Sequence, residues 1–377
     1  MYLTELAISD FRCLNQIQFK PSSSINLILG ANGAGKTSIL EAIFCLSRGR
    51  SFRANSLLKL IQDHQPAFVL RTKLESEITH QLALQVSRDG SSANTLAKID
   101  GEVTNSLAEL SRLLPSIIID PSIHKLIEDG PKGRRQYLDW GVFHVEPQFM
   151  HEWRRYQRAL KQRNAGLKKG ISHLQLQAWT DILIESGEYI DRVRRQYCQE
   201  ISKDIPILAE TLVGMQIDIS YRSGWTKDLS FAQALENSAE REQKTGLTGV
   251  GPHRADLVIR VGGEVLTNNN EHDSDEKAQH TQFHRAQQRV SRGQQKLIAA
   301  SMMLAQAVHF REKHQVSPIL LIDDPFAELD SEHSKRLLQA IQDLDAQTFV
   351  TALSPIDHPI FAQAKQFHVE HGKICKA

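Results

Sequence analysis

The chain has 377 residues, 41% of them hydrophobic and 24% charged, with 45 Lys+Arg against 44 Asp+Glu and a formal net charge of +1. That length calls for two or more lobes, and the near-zero net charge excludes a globally basic nucleic-acid coat, so any polyanion surface must be local. Four scattered cysteines (Cys13, Cys45, Cys198, Cys375) without a C-x-x-C pair argue against a disulfide framework or a structural zinc. No apolar run approaches the roughly 18 residues of a membrane span, and Met1-Tyr2-Leu3-Thr4-Glu5 does not open a signal peptide. A cytoplasmic protein without a membrane partner is expected.

Residues 1–20 read as a strand pair around Leu3, Leu6 and Ile8 and then Ile17 and Phe19, with Asp10-Phe11-Arg12 at the bend. Ile25-Asn26-Leu27-Ile28-Leu29 follows as a buried strand. Next comes Gly30-Ala31-Asn32-Gly33-Ala34-Gly35-Lys36-Thr37-Ser38, which fits the phosphate-loop pattern G-x-x-x-x-G-K-[ST]. Ile39–Leu46 after it reads as a helix with apolar faces. Glycines let the backbone N–H groups turn inward around a phosphate, and the positive end of the next helix faces the anion. Lys36 would reach the β/γ-phosphates and the Thr37 hydroxyl would ligate Mg²⁺. The expected ligand is therefore a nucleoside triphosphate.

After that helix, Arg48-Gly49-Arg50-Ser51-Phe52-Arg53 puts three arginines in six residues, either a solvated loop or part of a polyanion surface. Residues 67–104 alternate apolar and polar, with Asp89-Gly90 and Asp100-Gly101 as hairpin turns, so an antiparallel meander is expected. Ser116–Ile119 reads as one more buried strand. From residue 134 to 212 the spacing is helical. Trp153, Tyr156, Leu160 and Leu167 share one face there, and Arg154, Arg158, Lys161 and Lys168 share another. Residues 131–170 hold ten basic and three acidic side chains, a surplus of seven that fits either a polyanion surface or a solvated helix face.

Residues 217–266 read as strands with a Gly262-Gly263 turn, and 267–289 as a polar, mobile loop. In that loop His280 and His284 have metal-like spacing, but no cysteine or carboxylate completes a site. A long amphipathic helix is expected over about 294–313. Ile319-Leu320-Leu321-Ile322 reads as a buried parallel strand that delivers Asp323 and Asp324 at its C-terminal end, where open α/β sheets place ligands. Beside a phosphate loop, Asp323 would hold the Mg²⁺ shell and Asp324 would orient or deprotonate the attacking water. The last strands are Thr348–Thr351 and Phe367–Val369.

The order of phosphate loop, Ser291-Arg292-Gly293-Gln294-Gln295 and Ile322-Asp323-Asp324 resembles the ABC-type ATPase heads of the SMC class. More narrowly, Asp10-Phe11-Arg12, Arg50-Ser51-Phe52-Arg53, Gly130–Asp139, Gly251-Pro252-His253-Arg254-Ala255-Asp256-Leu257, the Ser291 segment and Asp323–Asp330 together resemble the RecF family, bacterial DNA replication and repair proteins, over essentially the whole chain. The resemblance implies an α/β ABC-type P-loop ATPase head, a mixed sheet with an antiparallel β subdomain, plus a mainly helical second lobe or arm. Lobe I would comprise residues 1–118 plus 315–377, and lobe II 119–314. ATP with Mg²⁺ would drive homodimerisation, the partner's Ser291, Gly293 and Gln294 completing each site, and slow, DNA-stimulated hydrolysis would release it. Double-stranded and gapped DNA, RecO, RecR and indirectly RecA are the implied partners.

By the same resemblance Arg12 lies close to the nucleotide and Glu328-Leu329-Asp330 is a dimer-facing loop. Arg50, Arg53, Arg154, Arg158 and Lys161 are the candidate DNA contacts. Three departures stand out. Ala255-Asp256 replaces an Asp-Asp pair, Ile118–Ser122 lacks a Q-loop glutamine, and Thr351-Ala352-Leu353-Ser354 lacks a switch histidine. The competing assignments are the ATPase subunit of a membrane transporter, for which the basic helical insertion has no use, and a small-metabolite phosphotransferase.

Overall fold

Ten consecutive residues of the helix after the phosphate loop, Ser38–Ser47, are buried, and the first unit of the molecule is built to enclose them. The computed structural model describes residues 1–104, 106–263, 282–325 and 329–375. The chain divides into two compact units, Met1–Ile123 with Gln306–Ala377, and His124–Ala305.

In the first unit, β1 (Tyr2–Phe11), β2 (Leu14–Phe19), β4 (Ala67–Glu75), β5 (His80–Asp89), β6 (Ser92–Ile99) and β7 (Glu102–Thr104) form one antiparallel sheet in the order β2-β1-β4-β5-β6-β7. The N-terminal strand pair and the later meander are thus one sheet, joined where Ile8 of β1 pairs with Leu70 of β4. A second sheet has the order β15-β14-β3-β13-β12-β8, with β3 (Ile25–Leu29), β8 (Ser116–Ile119), β12 (Ile319–Ile322), β13 (Thr348–Ala352), β14 (Lys365–Glu370) and β15 (Lys373–Cys375). Its strands are parallel except for the β14–β15 hairpin. Helix α1 (Lys36–Arg48) shares one apolar core with residues of both sheets: Leu6, Ile8, Phe68 and Leu84 from the first, Ile28, Leu321 and Phe349 from the second. A helix surrounded this way buries residues on every side, so its apolar positions are not confined to one stripe and its polar Ser38, Glu41 and Ser47 are buried with them. Helices α2 (Leu107–Leu113) and α10 (Ser331–Gln342) complete the unit.

The second unit is mainly helical. It holds α3 (Lys125–Glu128), α4 (Pro131–Val145), α5 (Phe149–Lys168), α6 (His173–Ile201), α7 (Asp204–Val213) and α8 (Phe231–Thr245), with a three-stranded antiparallel sheet of β9 (Ile217–Arg222), β10 (Asp256–Gly263) and β11 (Gln282–Arg285). Helix α9 (Arg292–His314) gives residues to both units.

Two expectations need correction. Residues 217–266 are not all strand, because α8 occupies 231–245. Its start is a capping box in which Ser230 Oγ accepts from Gln233 N–H and the Gln233 amide reaches back to Ser230 N–H. Residues 282–288 are not loop: β11 (282–285) pairs with β10, His284 opposite Val261, a 3-10 turn follows over 286–288, and Gly262-Gly263 belong to the strand instead of a turn. The rest of the polar segment, 264–281, lies outside the described residues, as do His272 and His280. Among the described residues no cluster of metal ligands occurs and no helix is long and apolar enough to cross a membrane.

Candidate nucleotide site

The phosphate loop bends back on itself because its glycines hold conformations that other residues resist. Gly30 has φ +154°, and a Cβ there would lie 2.3 Å from the Val369 carbonyl oxygen. Gly35, at φ +115°, is the N-cap of α1 and supplies no side-chain cap, so first-turn N–H groups of the helix are left to an anion. Lys36 Nζ folds over the loop and donates to the carbonyls of Gly30 (2.7 Å) and Ala31 (3.0 Å). Burial pulls its pKa below the usual lysine value, and the nearby Asp324 and Asp323 oppose that shift.

Strand β12 is buried at all four positions and is followed directly by Asp323, itself 8% exposed. Asp323 Oδ1 accepts hydrogen bonds from Thr37 Oγ1 and Thr351 Oγ1, both at 2.8 Å. The Thr37 contact joins the phosphate loop to a residue 286 positions later. Burial raises the Asp323 pKa, the two threonine hydroxyls draw it down, Asp120 raises it and Arg53 lowers it. Asp324 is exposed, sits at φ +48° and gives its N–H to Thr351 Oγ1 at 2.9 Å. A non-glycine residue in that conformation stores strain of the kind that active sites retain. Thr351, which stands where the switch histidine is missing, therefore touches both aspartates. No sequence motif singled it out.

Beside the loop opens a cleft of about 750 Å³ lined by Arg12, Ser38, Arg53, Lys59, Gln62 and Asp63 among others. Arg12 pairs with Glu41 through both Nε (3.0 Å) and Nη2 (2.9 Å). Arg53 thus lines the same cleft as the phosphate-loop residue Ser38, and both Arg53 and Arg50 are exposed. Sequence reasoning missed Glu41 and the cleft residues Lys59, Gln62 and Asp63. For Glu41 a signal existed, since it is the lone charge in the run Ser38–Ser47.

The match to known proteins is extensive. The family model described as the RecF/RecN/SMC N terminal domain matches residues 2–369. DNA replication and repair protein RecF of Shewanella halifaxensis is 37% identical over 99% of this chain and 98% of its own length. The RecF of Pseudomonas fluorescens strain Pf-5 gives the same figures. The chain belongs to the RecF family. In three dimensions it resembles the structure titled recombination mediator protein RecF-ATP in the RecFOR pathway, with TM-score 0.85, 25% identity and coverage of 100% of this chain and 97% of that one. An Smc head bound to the C-terminal winged-helix domain of ScpA shares the fold at TM-score 0.58 and 16% identity. The fold is that of the ABC-type ATPase head.

The RecF-family motifs outside the phosphate loop divide into two kinds. Some are exposed. Ser291 and Gln294 lock each other as a capping box at the start of α9: Gln294 N–H donates to Ser291 Oγ at 3.3 Å and Ser291 N–H to Gln294 Oε1 at 2.9 Å, with Ser291 exposed and Gly293 and Gln294 half-buried. Asp330 caps α10 by accepting from the N–H groups of Glu332 (3.1 Å) and His333 (2.9 Å). Glu328 lies outside the described residues.

Others are internal to the second unit. Arg134 binds Asp256 (2.8 Å) and the carbonyl of Asp129 (2.7 Å), and Arg135 donates to the carbonyl of Ala255 (2.8 Å). The carboxylate retained at 256 is thus half of a largely buried ion pair. Asp139 binds Arg194, and Tyr156 Oη donates to His253 Nδ1 at 2.6 Å. This changes the reading of the basic surplus over 131–170. Arg134, Arg155 and Arg163 meet Asp256, Glu185 and Glu242, carboxylates from outside that window. Six of the ten basic residues stay exposed: Lys132, Lys169 and, along α5, the stripe Arg154, Arg158, Lys161 and Lys168, about 21 Å long at 1.5 Å per residue.

Proposed function

We propose that this chain is an ATP-switched DNA-binding ATPase of recombinational gap repair. The observation that carries the proposal is the 2.8 Å contact between Thr37 of the phosphate loop and Asp323 at the end of β12, with Lys36 folded beside them. Two hard oxygen donors that meet next to a phosphate-binding backbone are the donor set that Mg²⁺·triphosphate takes. When bound, the cation would be held by Thr37 and Asp323 and would neutralise charge on the β- and γ-phosphates.

The chain's own residues do the rest. The backbone of Gly30–Gly35 and the first turn of α1 bind the phosphates, and Lys36 exchanges its carbonyl partners for phosphate oxygens. Arg12 and Arg53 add charge from the cleft side. Thr351 fixes both aspartates, so that the exposed Asp324 can orient a water and accept its proton. Slow turnover is in keeping with a switch that resets itself.

In this reading a second copy lends Ser291, Gly293 and Gln294 to the site. Ser291 Oγ accepts one N–H at the helix cap, which leaves its hydroxyl proton to donate to a phosphate oxygen. The exposed stripe on α5 tracks the backbone of duplex or gapped DNA, with RecR and RecO as protein partners, which bears on RecA loading, and the compartment is the cytoplasm. The test is ATPase activity and oligomeric state, each with and without duplex DNA and with Ser291→Arg alongside the parent. ATP should promote a dimer in the parent and not in Ser291→Arg, although both bind nucleotide. A Ser291→Arg protein that dimerises with ATP as the parent does refutes completion in trans, and absence of DNA-stimulated hydrolysis refutes the DNA assignment.

A further inference from the structure

We infer that Glu41 is a positioning residue of the nucleotide site. It aims Arg12 into the cleft and, through Ser51, fixes the loop that brings Arg53 to the same cleft. The inference rests on the ATP reading above and adds to it a residue that no motif marks.

Glu41 lies on α1 one helical turn beyond Thr37 and is 0% exposed. A carboxylate so placed carries a heavy desolvation cost and survives only when its oxygens are fully partnered. Its partners come from two segments. Arg12 supplies Nε to Oε2 and Nη2 to Oε1, while the Ser51 hydroxyl donates to Oε1. Ser51 Oγ in turn accepts the N–H of Arg53 (2.8 Å) and of Ala54 (2.7 Å). One buried anion therefore sets the position of both arginine-bearing segments.

The geometry leaves each arginine something to give. The pair consumes the Nε/Nη2 edge of Arg12, which stays 28% exposed at its side chain and lines the cleft together with Ser38 and Arg53. Arg12 also sits at φ +57°, and its N–H is tied to the Leu60 carbonyl at 2.7 Å, so backbone and guanidinium are both fixed. A guanidinium anchored along one edge can offer its Nη1 donors to a phosphate oxygen without breaking the anchor.

The experiment measures affinity for a fluorescent ATP analogue, steady-state KM and kcat, and melting temperature on the full chain. The variants are Glu41→Gln, Ser51→Ala, Arg12→Gln and the double Arg12→Gln/Glu41→Gln. Glu41→Gln keeps the side-chain volume and should raise Kd and KM for ATP about tenfold with kcat within about threefold. Ser51→Ala should raise Kd about threefold, and the double variant should bind no more weakly than Arg12→Gln alone, because Glu41 acts through Arg12. A folded Glu41→Gln with parental affinity, or a double variant whose losses multiply, overturns the inference. If Glu41→Gln does not fold, Arg12→Lys decides: lysine keeps the ion pair but has no second edge, so a Kd raised about tenfold at parental melting temperature supports the inference and parental affinity overturns it. A parent protein that fails to bind the analogue refutes the ATP reading itself, a result separate from all of these.

Discussion

Two arginines, one in each unit, grip carboxylates in the same way and do opposite work. Arg194 binds Asp139 through Nε (2.7 Å) and Nη2 (3.0 Å), spends Nη1 on the Pro252 carbonyl (2.8 Å), lies over the Trp153 ring and is fully buried. Arg12 binds Glu41 through the same two nitrogens, keeps 28% of its side chain exposed and lines an open cleft. A guanidinium with all three nitrogens engaged joins chain segments; one with a nitrogen uncommitted still has donors to offer a ligand. The same division separates the family motifs. Gly130–Asp139 and Gly251–Leu257 close on each other inside the second unit, whereas the phosphate loop, Asp324 and Ser291 turn polar atoms outward.

That contrast breaks most sharply at Lys36 and Arg194. Lys36→Met should lower ATP hydrolysis by about 10³-fold or more, since phosphoryl transfer relies on charge placed at the phosphates, while the urea midpoint stays near the parent's. Asp324→Asn should keep ATP binding, lose at least about 10²-fold in hydrolysis and accumulate the ATP-bound dimer; turnover at the parental rate would remove Asp324 from the chemistry. Arg194→Met should do the reverse. It strands Asp139, and breaking a buried pair costs about 3–5 kcal/mol, or roughly 10 °C in the melting temperature of a unit this size. An Arg194→Met protein that melts like the parent but binds ATP poorly would invert the comparison.

How much of this was legible in the sequence follows from the same physics. The phosphate loop, Asp323-Asp324 and the alternating strands 67–104 were readable because local backbone demands and two-residue periodicity leave a local mark. Helix α8 leaves one clear local mark, the capping box Ser230-x-x-Gln233, inside a stretch that otherwise reads as strand. The basic surplus over 131–170 was overstated because Asp256, Glu185 and Glu242, which pair with its arginines, come from distant stretches, and charge counting in a window cannot see them. Thr351 was noticed only for the histidine it is not. Its contact with Asp323 comes from β13 lying beside β12, a register that appears only once the sheet has formed.

A smaller effect separates the units by pH. His253 Nδ1 pairs with Tyr156 Oη (2.6 Å) and Nε2 with the Thr248 carbonyl (3.1 Å), contacts that a neutral ring carrying its proton on Nε2 satisfies. Burial is the main reason its pKa falls from 6.5 to about 4; the Thr248 contact and Glu242 raise it, and Arg254 and Arg135 add to the fall. The unfolded chain therefore takes up a proton at pH values where the folded one does not. The stability this histidine contributes is complete above about pH 6.5 and is lost progressively toward pH 4, by up to about 3 kcal/mol. Urea midpoints at pH 7, 6, 5 and 4.5 should fall more steeply for the parent than for His253→Gln. Parallel curves would mean that the Tyr156–His253 pair does not keep the ring neutral.

The smallest effect on stability lies on α5, which carries both kinds of cation within one helix. Arg163 is buried against Glu242 at 2.6 Å and donates to Thr248 Oγ1 at 2.7 Å, while Arg154, Arg158 and Lys161 stand exposed. Removing the exposed three together should change stability by no more than about 0.5 kcal/mol, as is usual for surface positions. If they meet DNA phosphates, each contact releases about 0.9 of a condensed counterion, so the slope of log affinity against log salt should flatten by about 3 in the triple alanine variant. Arg163→Met should leave that slope untouched and lower the melting temperature instead. A triple variant with the parental slope would move the DNA surface away from this helix, to Arg50 or the second unit's other faces, without disturbing the nucleotide site. An Arg163→Met protein with a flattened slope would show that the buried cation also reaches the DNA, and the division between consumed and presented arginines would then fail on the helix where the two kinds lie closest together.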